Sequence, residues 1–183
     1  MTMSIRRGHS VLAAIVMTAI ASGSGAAAED PCATFSWDVT RERALFTMAP
    51  ESALAGREVS PAPLLMLERL FELRLAPQGV VTYAVSPQKQ RPVAEDFGGL
   101  AHLKFDRPGT YRVSLDQGLW IDLVADGKLI ASSDFQGNPG CRAPHKIMQY
   151  VLPAGQDVLL QLSGGHDGRV RITITRPDDA PAT

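Results

Sequence analysis

The stretch from Gly109 to Thr175 constrains the fold more than any other part of the chain. It reads GTYRVSLDQGLWIDLVADGKLIASSD, then FQGNPGCRAP, then HKIMQYVLPAGQDVLLQLSGGHDGRVRITIT. Tyr111, Val113 and Leu115 alternate with Arg112 and Ser114, and after Gln117-Gly118 the same period of two returns in Ile121, Leu123 and Ala125. A strand with that alternation has one face to bury. Asp126-Gly127 then marks a two-residue hairpin turn, because both positions of such a turn need residues that tolerate positive φ. Residues 147–152, 158–162 and 170–174 continue the series, divided by Pro153-Ala154-Gly155 and by the Gly164 to Gly168 turn.

Earlier in the chain Phe35, Trp37 and Val39 alternate and predict an opening strand with its aromatic face in the core. Pro50, Gly56, Pro61 and Pro63 break the run 41–63, which reads as irregular with at most a helical turn. Ala76-Pro77-Gln78-Gly79 separates Leu73 and Leu75 from Val81, Tyr83 and Val85, and predicts a hairpin over 70–85. Residues 86–96 and 134–144 read as loops, and 100–105 as a strand that turns Ala101, Leu103 and Phe105 inward. With about nine or ten short strands at intervals of roughly 8–12 residues and no crossover helices, the expected fold is all-β, an antiparallel β-sandwich of jelly-roll type.

The first 28 residues carry Arg6-Arg7, an apolar run over 11–20 and Ala26-Ala27-Ala28, in the order of a secretory signal peptide. Gly8-His9 after the arginines suits general secretion better than the twin-arginine route. The apolar run is shorter than the ~20 residues a membrane-spanning helix needs, so no span is expected once the signal is cleaved. Cleavage near Ala28 leaves about 155 residues, enough for one domain over 29–176, with a disordered tail at 177–183. The destination expected is the periplasm or the exterior. In such an oxidising compartment Cys32 and Cys141 read most simply as a disulfide, the alternative being two free thiols. Net charge is −1 with the two signs interspersed, so nothing in the sequence is suited to neutralising nucleic-acid phosphates.

The run 109–175 resembles the bacterial pre-peptidase C-terminal domain, a β-sandwich found beside the catalytic domains of secreted hydrolases. The similar features are the G-T-Y turn and strand, W-I-D-L-V, D-G-K-L-I-A-S-S-D, Y-V-L-P-A-G and L-S-G-G. The chain departs from the pattern in having no peptidase domain and in adding the Cys32 segment and the 70–85 segment. The resemblance implies an accessory or binding role.

Catalytic motifs are scarce. Ser163 lies in L-S-G-G-H, without the glycine two residues before it that a nucleophile elbow requires. His102, His145 and His166 form no H-x-H or H-x-x-E pair, and no metal ligand or cofactor is assigned. The leading expectation is therefore a non-catalytic binding protein. Its alternative is a small cupin-like metal-dependent enzyme, such as a non-haem iron dioxygenase of the homogentisate dioxygenase kind. Trp120 and Asp122 share a strand face, and an aromatic plane beside a carboxylate suits a carbohydrate. The loop 134–146, which the disulfide would hold, displays Phe135, Asn138, Arg142, His145 and Lys146 as a surface for a protein or carbohydrate ligand.

Overall fold

A computed structural model describes Met1 and residues 30–88 and 95–177. Apart from Met1, the expected signal peptide lies outside the described residues, as do residues 89–94 of the expected loop and 178–183 of the expected tail. The elements in chain order are α1 (Thr40–Phe46), β1 (Glu51–Leu54), β2 (Leu64–Leu65), β3 (Leu70–Arg74), β4 (Ala76–Pro77), β5 (Phe97–Phe105) and β6 (Gly109–Leu115). They continue with β7 (Trp120–Ala125), β8 (Lys128–Ile130), β9 (Asp134–Gly137), β10 (Lys146–Leu152), β11 (Gln156–Gly165) and β12 (Arg169–Thr175). Short 3-10 turns cover Pro31–Thr34 and Gln78–Val80.

Two six-stranded sheets face each other, ordered β1-β3-β12-β6-β10-β9 and β2-β5-β11-β7-β8, with β4 attached to β5 in the second. Inside them lie the nested antiparallel pairs β7–β8, β6–β10, β5–β11 and β3–β12, which fall alternately in one sheet and the other. That wrapping is the jelly roll expected from the sequence. Among the described residues strands number twelve, more than expected, because β1, β2, β4 and β9 are short additions to it, and β1 and β2 pair in parallel. Leu73, Leu103, Phe105, Val113, Leu123, Leu160 and Ile172 fill the space between the sheets and are fully buried. Asp126 and Gly127, with φ of 51° and 70°, make the expected turn between β7 and β8.

Four expectations fail. The run 41–63 is not simply irregular, since α1 makes about two helical turns at its start and β1 joins the first sheet in parallel with β3. Residues 35–39 form no strand, since the chain runs irregularly from the first 3-10 turn into α1. No hairpin spans 70–85: β3 is present, but 81–88 pairs with no strand and packs its apolar residues on the outer face of the second sheet. Residues 134–144 are not wholly a loop, because 134–137 are β9, antiparallel to β10.

The segments 35–39 and 81–88 each cover an outer sheet face. On the first sheet, Arg112 of β6 reaches outward and donates to the Asp38 carbonyl at 2.8 Å, to Gln149 Oε1 at 3.2 Å and to Glu42 Oε1 at 3.4 Å, while its guanidinium lies 4.7 Å from the Trp37 ring centre. Glu42, in α1, also accepts from Thr175 Oγ1 at 2.7 Å. The expected disulfide joins Cys32 and Cys141 with Cα atoms 4.9 Å apart and fastens this N-terminal segment to the chain after β9. On the second sheet, Gln161 of β11 does the fastening: its Oε1 accepts from Ala84 N and Val85 N at 2.8 and 3.2 Å, and its Nε2 donates to the Val85 carbonyl at 3.0 Å. One buried amide thus stands in for a neighbouring strand.

Candidate functional site: a cleft at one open edge of the sandwich

The cleft follows from the shortness of β8. Its three residues pair only with Leu123, Val124 and Ala125, so the β7 edge from Leu119 to Asp122 lies beyond the ladder. After Ile130 the chain crosses to the other sheet and becomes β9. Exposed strand edges invite unwanted pairing unless something blocks them. Here side chains of β10 do so, with Lys146 Nζ donating to the Leu119 carbonyl at 2.8 Å and Tyr150 Oη to the Ile121 carbonyl at 3.4 Å. The space between the two sheet edges is a cleft of about 560 Å³, within the usual range for small-molecule sites of about 300–1,000 Å³.

Its floor is apolar, from Ile130, Met148 and Tyr150. Phe135 stands on the rim with 66% of its surface exposed. Polar groups enter from Trp120, Asp122, Lys146, Ser163, His166 and Gln88. The outward row of β7 carries Trp120 and Asp122, and the indole Nε1–H donates to Asp122 Oδ1 at 2.9 Å. Asp122 Oδ2 accepts from the Gln88 backbone N–H at 3.1 Å, so the segment on the outer sheet face is tied to the cleft wall. The Lys146 ammonium sits 4.9 Å from the Trp120 ring centre, a cation on an aromatic face.

Burial raises the pKa of Asp122, opposed by the two hydrogen bonds and by the charge of Lys146. Burial pushes the Tyr83 hydroxyl up to about 12, and the Asp122 charge adds to it. Tyr150 is raised by the same two causes. Both phenols are held as neutral donors, Tyr83 giving its proton to the Leu162 carbonyl at 3.0 Å.

The structure therefore brings together Trp120, Asp122, Phe135 and Lys146 and leaves the other three expected residues elsewhere. Asn138 is a structural bracket that donates to the Pro31 carbonyl and to Thr34 Oγ1, which binds the loop to the N-terminal segment. Arg142 lines a second, more open depression with Asp116 and Arg169. His145 is half-buried against Gly118, where an added Cβ would come within 3.3 Å of Nε2. Met148 and Tyr150 are cleft residues that the sequence reading misses, although their spacing of two from Lys146 is the signal that places them on its face. Gln88 and Ser163 arrive from distant segments and gave no such signal. His102 lies on β5, His145 before β10 and His166 after β11; of the three only His166 lines the cleft, and among the described residues no group of three or more His, Cys, Asp or Glu is placed to hold a metal ion.

No family model and no curated protein matches this chain. Among solved structures it is similar to the β-glucosidase from Kluyveromyces marxianus in complex with glucose, at 15% identity and a TM-score of 0.30. The similarity covers 44% of this chain and 10% of that one.

Proposed function

We propose that this chain is an exported, non-catalytic binding or accessory protein and that the cleft beside β7 holds its ligand. The observation that carries this reading is the convergence of Trp120, Asp122, Phe135 and Lys146, from both sheets, on one cleft of about 560 Å³. Export is supported by the signal-like first 28 residues and by the Cys32–Cys141 disulfide, a bond that persists in oxidising compartments. Among the described residues no helix is long and apolar enough to cross a membrane. The accessory part of the proposal rests on the resemblance of 109–175 to the pre-peptidase C-terminal domain.

The protein has two tryptophans, which gives a built-in control. Titration with a pool of periplasmic small molecules and short peptides, followed by indole N–H resonances, is expected to shift Trp120 and leave Trp37 in place. Shifts confined to Trp37, or none, would remove the cleft from the account. Turnover of a chromogenic ester or glycoside would replace binding with catalysis.

A further inference from the structure

We infer that the cleft takes a neutral saccharide, with Phe135 as the stacking platform and Asp122 as the hydroxyl acceptor. This inference rests on the cleft being a ligand site and goes beyond it by naming the ligand class.

The charge balance points first to a neutral ligand. Among the described residues Asp122, Lys146 and the imidazole of His166, which lies 3.5 Å from Asp96 Oδ1, line the cleft, so a ligand of strong single charge gains at one wall and loses at another. Prior bonds damp the carboxylate and the ammonium. Each Asp122 oxygen already accepts one hydrogen bond, from Trp120 Nε1–H or Gln88 N–H, and the Lys146 ammonium is already bonded to the Leu119 carbonyl and stacked on Trp120. A zwitterion such as a free amino acid needs two full charge pairings to offset its own desolvation. A sugar hydroxyl asks less, because a carboxylate has about four lone-pair sites and each Asp122 oxygen retains one to accept from an O–H.

The second observation is the division of labour between the two aromatic residues. Trp120 is the obvious platform in the sequence, but its indole N–H is committed to Asp122 and one ring face carries the Lys146 ammonium. Among the described residues no cation or ring is stacked on Phe135, which stands exposed by 66% on a strand at the rim. It projects from the same row as Met148, its cross-strand partner, and so stands over the apolar floor. A flat apolar ring over a recess with a carboxylate at its wall matches a pyranose, which has C–H groups on one face and hydroxyls round its edge.

The test is an amide and indole NMR titration of the full folded chain with glucose, galactose, mannose and N-acetylglucosamine and with their α- and β-1,4-linked disaccharides, each compared with leucine and inorganic phosphate. At least one saccharide is expected to shift residues 119–122 and 134–136. Affinity should fall at least tenfold in Phe135→Ala, whose side chain supports no core, and in Asp122→Asn, which keeps the size of the side chain. Failure of every saccharide to shift these residues, or full affinity in Phe135→Ala, overturns the inference. If leucine or a peptide from the wider pool shifts Trp120 while no saccharide does, the ligand class is wrong and the binding role stands. If nothing at all enters the cleft, both fall.

Discussion

The two outer faces of the sandwich are both covered by chain that forms no long strand, yet they are fastened in different ways. The N-terminal segment over the first sheet is held by a disulfide, a buried ion pair and a cation on an aromatic ring, none of which touches the cleft. The segment 81–88 over the second sheet is held by hydrogen bonds that its backbone N–H groups donate to the neutral Gln161 amide and to the Asp122 carboxylate, and Asp122 is also a wall of the cleft. The first cover is therefore structural, whereas the second shares a residue with the site. Occupancy of the cleft should be felt at 81–88 and not at 31–46.

The largest effect expected is on the structural side. Glu42 is 1% exposed and Arg112 8%, and removing one partner of a buried pair costs about 3–5 kcal/mol because the other charge is left uncompensated. Glu42→Ala should thus lower the melting temperature by on the order of 10 °C, at roughly 2–4 °C per kcal/mol, as followed by circular dichroism. Replacing the pair with a matched apolar pair should recover much of that loss.

Next comes the covalent tie. With a sequence separation of 109 between the cysteines, the chain-entropy model gives about 4.7 kcal/mol, and the loss of a native bridge in practice costs about 2–5 kcal/mol. Cys32→Ser should melt several degrees lower, and a reductant should then have no further effect on it. Equal melting of variant and oxidised parent would mean that packing alone holds the segment.

On the other face, Gln161→Leu deprives two backbone N–H groups and one carbonyl of their partner, at about 1–3 kcal/mol for each group left buried and unmet. Part of the segment can lift into water, so the total should stay nearer the lower figure. Amide exchange should quicken over 81–88 and remain slow in α1. Quickening in both places would dissolve the contrast.

The smallest effect is a pH dependence. Burial raises the pKa of Asp122 above the ordinary 3.8, so the folded state binds its proton more tightly than the unfolded one. Stability from this group is then fully present below about 3.8 and declines as pH rises through the folded value. Asp122→Asn lacks that decline. Its stability relative to the parent should improve with rising pH over that window and then level off, in parallel urea melts.

How the sequence misled and where it served share one cause. Alternation reports which side chains are buried, not which backbone groups form a ladder. For β6, β7, β10, β11 and β12 the two coincide, and glycine turns between them made the jelly roll legible. Phe35, Trp37 and Val39 show the same period, as do Val81, Tyr83 and Val85, but there the backbone partners are side chains: Arg112 takes the Asp38 carbonyl and Gln161 takes Ala84 and Val85. The site was half legible. Trp120 and Asp122 share a row, as do Lys146, Met148 and Tyr150, but the meeting of these rows depends on β8 stopping at three residues. Asn138 on the disulfide loop looks like a binding group in the sequence because nothing there shows that its partner is the N-terminal segment.

The cleft and the cover of the second sheet are one unit through Asp122, which lines the one and accepts from Gln88 N–H of the other. Hydrogen exchange by mass spectrometry on Asp122→Asn against the parent tests it without any ligand. Faster exchange confined to 81–88 and to the β7 edge at 119–122, with α1 and the Cys32 segment unchanged, is the expected result. Unchanged exchange at 81–88, or loosening spread equally over both covers, would contradict it.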